Sequence, residues 1–140
     1  MKVLFAADGS TFTKKALAFL VTHESLVGKD DELVVLNVQP EVPNRVKHIL
    51  GSAEITAYHQ EEAAKVLDPI KEFLDKHQLK YRCSTVVGHI SDEILLAAKN
   101  EKAHMLVMGT RGHGLITRAL MGSVAQRVLA DCDIPVLLVQ

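Results

Sequence analysis

The sequence predicts an α/β fold, a doubly wound five-stranded parallel sheet in the strand order 3-2-1-4-5 with helices on both faces. Short apolar runs alternate along the chain with longer segments of helical periodicity. The connections between the runs are long enough to contain helices, as parallel strands require. The runs are almost entirely apolar, which is typical of strands that helices cover on both sides. Because crossovers are right-handed, few other topologies remain.

The predicted strands are apolar runs bounded by turn-forming residues. They cover residues 2–7, 32–38, 81–87, 105–108 and 135–139. The predicted helices cover residues 11–27, 52–77, a segment that Ser91 caps, and residues 123–130, with approximate C-terminal limits. These elements fit a single domain, residues 1–140, and leave little room for a second.

Turn chemistry sets several of the helix limits. Ser10 or Thr11 can supply the N-cap oxygen of the first helix, and Gly28 is expected to end that helix. Pro69 lies inside the long second helix, where its missing N–H predicts a kink or a break. The segment before that helix, residues 39–51, contains two prolines and is predicted to be a loop.

The composition excludes several classes of function. A formal net charge of −1 provides no basic surface for nucleic acid or an anionic membrane. No stretch approaches the roughly 20 apolar residues of a membrane span, and the N-terminal apolar run stops at Asp8, too early for a signal peptide. We therefore expect a cytoplasmic protein without nucleic-acid or membrane partners, in which Cys83 and Cys132 are reduced and structural.

The two loops best equipped to bind a ligand follow strands one and four. In the predicted order these strands flank the point where the winding reverses, and ligands bind there at the carboxyl ends of strands. The first loop is Asp8-Gly9-Ser10, and the second is Gly-Thr-Arg-Gly-His-Gly at residues 109–114. We therefore expect both loops to border one crevice.

The second loop has the chemistry of an anion site. Glycine permits positive φ and lets a phosphate approach without a Cβ in the way, so that successive N–H groups can cradle it. A helix that begins near Gly122-Ser123 would direct unpaired N–H groups at the same anion. Arg111, His113 and Arg118 lie nearby, and only arginine is reliably charged at neutral pH. The loop matches neither the Walker A sequence nor the dinucleotide fingerprint, and a tight turn without a ligand is the alternative interpretation.

The spacing Gly109-x2-Gly112-x9-Gly122-Ser123 matches the G-x2-G-x9-G-S/T motif, and in it the sequence resembles the ATP-binding universal stress proteins. The first strand with its Asp-Gly-Ser turn and the terminal strand are similar too, so the resemblance covers nearly the whole chain. It implies a stress-response or regulatory module that binds ATP and hydrolyses it slowly at most, with AMP or ADP as alternative ligands. Mg²⁺ is expected to accompany ATP, and the sequence identifies no protein ligand for it.

The resemblance also assigns residues to the nucleotide. Asp8 would contact the adenosine part, and Val38 would meet adenine through its backbone. Gly109 and Gly112 would admit ribose and phosphates, and residues 122–124 would bind phosphates through N–H groups and the Ser123 hydroxyl. The complete predicted site consists of Ala7, Asp8, Val38, Met108, Gly109, Arg111, Gly112, His113, Gly122, Ser123 and Val124.

Several alternatives stay open at this point. Asp8 could cap the first helix instead of binding a ligand, and a neutral imidazole makes His113 only a modest phosphate donor. No catalytic residue is predicted, because no committed base for phosphoryl transfer can be named. An ATPase or a phosphoryl- or nucleotidyl-transfer enzyme on the same scaffold is one alternative, and a dimer that binds no nucleotide is another.

The fifth strand, which runs from Pro135 to Val139, would lie at one edge of the sheet. An exposed apolar edge strand promotes association unless it is paired. Pairing with its two-fold mate would bury the strand in a closed dimer, and the resemblance implies such a homodimer. A monomer whose edge is covered by a helix or loop is the alternative.

Overall fold

The computed structural model describes residues 1–113 and 121–140. The strands are β1 (Lys2–Ala6), β2 (Glu32–Gln39), β3 (Tyr81–Val87), β4 (Met105–Gly109) and β5 (Val136–Val139). The helices are α1 (Thr11–Thr22), α2 (Asn44–Ile49), α3 (Ser52–Lys76), α4 (Ile90–Asn100) and α5 (Ser123–Asp131). Within the described residues the strands form one parallel sheet in the order β3-β2-β1-β4-β5. The predicted fold class and strand order are therefore confirmed.

Helices cover both faces of the sheet, and the side chains of each strand alternate between two apolar cores. In β1, Val3 and Phe5 pack with α1 and α3, whereas Leu4 packs with α4 and α5. All three side chains are fully buried. Full burial of such a side chain stabilises the fold by about 1.5–3 kcal/mol. The alternation therefore determines which face of each strand meets which pair of helices.

The predicted strand limits agree with the structure to within one residue. β3 matches its prediction, β1 ends one residue earlier, β2 and β4 extend one residue further, and β5 begins one residue later. β1, β2 and β4 are covered on both faces and are apolar over most of their length, so these runs are easy to delimit.

The prediction that Gly28 ends the first helix is wrong, because α1 ends at Thr22. Thr22 Oγ1 and His23 Nδ1 lie 3.1 and 2.8 Å from the carbonyl oxygen of Phe19. Side chains thus form hydrogen bonds with a carbonyl of the last turn that has no backbone partner within the helix. Gly28 instead donates its N–H to Asp31 Oδ2 at 2.8 Å in the turn before β2.

The break expected at Pro69 does not occur, since α3 is continuous from Ser52 to Lys76. Pro69 is exposed, while Leu67 and Ile70 beside it are buried. Apolar packing on both sides of the proline holds the helix on the sheet and offsets the lost hydrogen bond. Neither α3 nor any other helix in the described part of the chain is long and apolar enough to cross a membrane.

Two further limits differ from the prediction. The expected loop at residues 39–51 contains α2, a six-residue helix without a buried residue, which therefore leaves no apolar periodicity in the sequence. α4 begins at Ile90 with His89 as its N-cap, so Ser91 is not the cap. Ser91 is buried in the first turn, where its Oγ lies 3.2 Å from His89 Nδ1.

Candidate functional site

A cleft of about 720 Å³ opens at the carboxyl ends of β1, β2 and β4. β1 and β4 are neighbours in the sheet, and the chain leaves them towards helices on opposite faces, which creates the crevice. The predicted site residues all line this cleft, namely Ala7, Asp8, Val38, Met108, Gly109, Arg111, Gly112, His113, Gly122, Ser123 and Val124. Gly114, the last residue of the predicted loop, and the nearby Arg118 lie outside the described residues.

The loop between β1 and α1 holds Asp8 in one orientation. Asp8 Oδ1 accepts hydrogen bonds from the Ser10 N–H at 2.9 Å and from Thr13 Oγ1 at 2.8 Å. Ser10 Oγ in turn accepts from the Thr13 N–H at 3.3 Å and is the N-cap of α1. Gly9 between them has a φ of +78°, which favours glycine. Ser10 therefore caps the helix, and Asp8 is not needed for that role.

Gly112 lies against the second carboxylate oxygen of Asp8. A Cβ built on Gly112 would overlap Asp8 Oδ2, and Asp8 Cγ would be 3.7 Å away. The absence of a side chain at Gly112 thus permits direct contact between the loop after β4 and the carboxylate at the end of β1.

Gly109 is required for a different reason. A Cβ on Gly109 would overlap Phe12 Cβ and come within 3.2 Å of backbone atoms of Phe12 and Arg111. This glycine therefore lets α1 pack against the end of β4. Neither Gly109 nor Gly112 uses the positive φ that glycine permits, because Gly9 alone among the described glycines has it.

Hydrogen bonds connect residues 109–113, the glycine loop, to the structure around it. His113 Nε2 lies 2.6 Å from the carbonyl oxygen of Asp8. Gly122 donates its N–H to the Thr110 carbonyl at 2.8 Å, and the Thr110 N–H donates to Val139 at 3.0 Å. The loop is thereby joined to the end of β1, to the start of α5 and to β5. His113, predicted near a phosphate, has a protein partner.

The N-terminus of α5 forms one end of the cleft. Gly122 is its N-cap, and no side chain caps the helix. The first N–H groups of a helix have no partner within it and favour an anion at this position. Residues 122–125 line the cleft, and Ser123 adds an exposed hydroxyl. This end of the cleft is suited to a phosphate or carboxylate group.

The end of β2 directs the backbone of Val38 into the cleft. The Ala7 N–H donates to the Leu36 carbonyl at 2.8 Å on the β1 side, and the Gly88 N–H donates to the Gln39 carbonyl at 2.9 Å on the β3 side. Backbone groups of successive strand residues alternate in direction, so those of Val38 point to the β1 side. Because β1 has already ended at this level, the N–H and C=O of Val38 face the cleft.

Asn37 is a polar residue of the cleft that the sequence analysis missed. It is 2% exposed, its Nδ2 donates to the Ala7 carbonyl at 2.9 Å, and its Oδ1 accepts from Gln39 Nε2 at 2.7 Å. The amide thus joins the ends of β1 and β2 beneath the cleft. A single polar residue within the apolar run LVVLNV was the available signal, because a buried polar group needs partners.

The two long sides of the cleft differ in polarity. Ile90 and Ile94 of α4, together with Met121, supply apolar surface on one side. Glu62 and Lys65 of α3 lie on the other, paired at 2.8 Å. The cleft can therefore receive a ligand with one apolar face and one polar edge.

Comparison with known proteins identifies relatives over the full chain. The model of the universal stress protein family matches residues 1–140. A universal stress protein of Thermus aquaticus is 31% identical over 99% of this chain and 97% of its own length. Universal stress protein MJ0531 of Methanocaldococcus jannaschii is 30% identical over 99% and 81%. The chain spans only 41% of a longer Synechocystis relative that is 29% identical.

Solved structures share the fold. The structure of MJ0577, a protein of Methanocaldococcus jannaschii, superimposes with a TM-score of 0.84 and 28% identity, over 99% of this chain and 94% of that one. More distant neighbours are universal stress proteins in complex with cAMP and with dAMP, and an Arabidopsis thaliana family member with AMP bound. The TM-scores of the cAMP, dAMP and AMP complexes are 0.70, 0.71 and 0.69, at 21%, 20% and 18% identity. At this level of identity the similarity shows a shared fold.

Proposed function

The chain belongs to the universal stress protein family, and on that premise we propose that it is a nucleotide-dependent stress-response module that binds ATP in the cleft. The observation that carries the proposal is the N-terminus of α5, whose first N–H groups are not capped by a side chain. It borders the same cleft as the glycine loop and Asp8. The AMP, cAMP and dAMP complexes of proteins with the same fold support an adenine nucleotide.

The β2 end of the cleft would take adenine. Adenine carries an amino donor beside a ring-nitrogen acceptor, and Val38 offers a C=O and an N–H that face the cleft. Ile90 and Met108 would lie against the faces of the ring, where apolar contact is favourable. The carboxylate of Asp8, already oriented by its own loop, would accept hydrogen bonds from the ribose hydroxyls.

The α5 end would take the phosphates. The N–H groups of Ser123 and Val124, together with the Ser123 hydroxyl, would donate to phosphate oxygens. Arg111, which also lines the cleft and has its Cα beside Gly122, would supply positive charge. We expect Mg²⁺ to be carried by the phosphate oxygens of ATP and to neutralise part of their charge, as is usual for this ion.

The test uses a substitution at the start of α5 and a matched control. In Ser123→Asp a carboxylate would occupy the proposed phosphate position, and repulsion of even 1.4 kcal/mol weakens binding about tenfold. Ser52→Asp is the control, because Ser52 is also the first residue of a helix whose N-cap is a glycine without a capping side chain. Each Asp suits the dipole of its own helix, so the fold should survive in both variants.

Calorimetry with ATP, ADP and AMP, combined with chromatography of nucleotide extracted from the purified protein, provides the measurement. We expect wild type and Ser52→Asp to bind ATP alike and Ser123→Asp to bind it at least about tenfold more weakly. Absence of extracted nucleotide together with absence of binding heat would reject the proposal. Equal affinity in Ser123→Asp would reject α5 as the phosphate site.

We also propose that β5 joins two copies of the chain. β5 is an edge strand that pairs only with β4 in the described sheet, and its residues are half-buried. Pairing with the same strand of a second copy would satisfy its outward backbone groups and close the sheet edge. Light scattering after size exclusion should give twice the 15.4 kDa mass of one chain. A mass of one chain at micromolar concentration would contradict the dimer.

A further inference from the structure

The imidazole of His113 bridges two loops that are remote in sequence. His113 and Asp8 are separated by 105 positions, and His113 Nε2 lies 2.6 Å from the Asp8 carbonyl oxygen. A carbonyl oxygen can only accept a hydrogen bond, so Nε2 carries the proton and donates it.

Asp8 meets the glycine loop a second time through its side chain. Gly112, next to His113, lies against Asp8 Oδ2 so closely that a Cβ would overlap it. Oδ1 of the same carboxylate is held by Ser10 and Thr13. Asp8 therefore contacts the glycine loop twice. Its carboxylate lies against Gly112, and its carbonyl oxygen accepts the hydrogen bond from His113.

We infer that His113 is a positioning residue that sets the distance between the adenosine side and the phosphate side of the cleft. This inference rests on the proposed function. Both partners of the bond belong to the protein, so the loop is ordered by its own contact and a ligand need not supply that ordering free energy. His113 acts on the nucleotide through the loop, and its imidazole is engaged with the backbone instead of a phosphate.

A positioning role has a consequence that depends on the ligand. In the proposed site adenosine lies at the β2 end of the cleft and against Asp8, whereas ATP also reaches the start of α5. Loss of the bond should therefore weaken ATP and leave adenosine nearly unchanged. A general loss of stability would weaken the two ligands equally.

The experiment compares His113→Ala, His113→Gln and His77→Ala with wild type. Glutamine keeps an N–H donor at about the position of Nε2 and carries no charge. His77 is a matched control, because its Nδ1 lies 2.8 Å from the Phe73 carbonyl on the exposed end of α3, away from the cleft. Calorimetry with adenosine and with ATP is performed on each protein, and thermal unfolding confirms that each is folded.

We expect His113→Ala to bind ATP about two- to tenfold more weakly, the range for one hydrogen bond, with adenosine affinity within about twofold. His113→Gln should restore ATP affinity, and His77→Ala should match wild type for both ligands. Unchanged ATP affinity in His113→Ala, an equal loss for both ligands, or failure of glutamine to restore binding would each overturn the inference. Wild-type protein that binds neither ligand would instead overturn the proposed function, and this inference with it.

Discussion

Gly109 at the end of β4 and Gly112 in the glycine loop should respond differently to substitution by alanine. In Gly109→Ala the new Cβ meets Phe12 Cβ and backbone atoms at 3.2 Å, and neither can turn aside. In Gly112→Ala the new Cβ meets only the carboxylate of Asp8, an exposed side chain that can rotate into solvent. The first change should therefore destabilise the fold, and the second should mainly damage the cleft.

The magnitudes follow from these contacts. Overpacking of this kind costs about 1–3 kcal/mol. An unfolding entropy of about 2.1 cal/mol/K per residue gives roughly 0.3 kcal/mol/K for this chain, so Gly109→Ala should lower Tm by about 3–10 °C. In Gly112→Ala water can replace the hydrogen bonds that Asp8 loses, and Tm should fall by less than about 3 °C. Loss of a charged hydrogen bond to ribose is worth about 1.5–3 kcal/mol, or about 10–150-fold in ATP affinity.

Differential scanning calorimetry gives the stability of both variants, and isothermal titration with ATP gives their affinity. Wild type is the reference for both measurements. A larger loss of stability in Gly112→Ala than in Gly109→Ala would contradict the prediction, because the Phe12 contact would then not be the more costly one. ATP affinity in Gly112→Ala equal to that of wild type would also contradict it, since the displaced carboxylate would then have no role in binding.

Three further predictions concern stability. The Arg82 guanidinium lowers the pKa of Glu32 and of Glu101 below their ordinary value of 4.5, so stability present above that pH is lost as pH falls through the folded values. Urea unfolding between pH 5 and pH 3 should show a steeper loss for wild type than for Arg82→Gln, and equal slopes would contradict the ion pairs. Asn37→Ala leaves a buried carbonyl without its donor and should cost about 1–3 kcal/mol by urea unfolding, whereas an unchanged midpoint would mean that water replaces the amide. Pro69→Ala restores a helix hydrogen bond and, after the entropy gained by the unfolded chain, should stabilise by about 2 kcal/mol; a lower Tm would contradict this.

Much of the fold was predictable because its signals are local. Each buried strand is an apolar run, as in β4, and its limits follow from its residues to within one position. The end of α1 was not predictable in this way, since Gly28 is a plausible stop and the actual stop depends on how Thr22 and His23 orient towards one carbonyl. Proline breaks helices in general, but the packing of α3 against the sheet overrides this effect at Pro69.

The sequence predicted which residues line the cleft better than it predicted which atoms those residues contact. Motif spacing joined the loop after β4 to the start of α5, and strand order brought Asp8 beside them. Asn37 was missed because a single polar residue in a strand does not reveal its partners. The assignment of these residues to a nucleotide remains a prediction for the experiments above.

The sequence by itself determined the class of fold and the family, because apolar periodicity and glycine spacing are properties of neighbouring residues. The right-handedness of crossovers then limited the strand order to a few possibilities. Only the tertiary structure decided that Gly109 makes room for α1, that Gly112 makes room for Asp8, and that His113 bonds to the end of β1. These residues lie within five positions of one another, yet their partners come from the opposite end of the chain. Identical residue types acquire different roles there because excluded volume and hydrogen bonding act between atoms that meet only after folding.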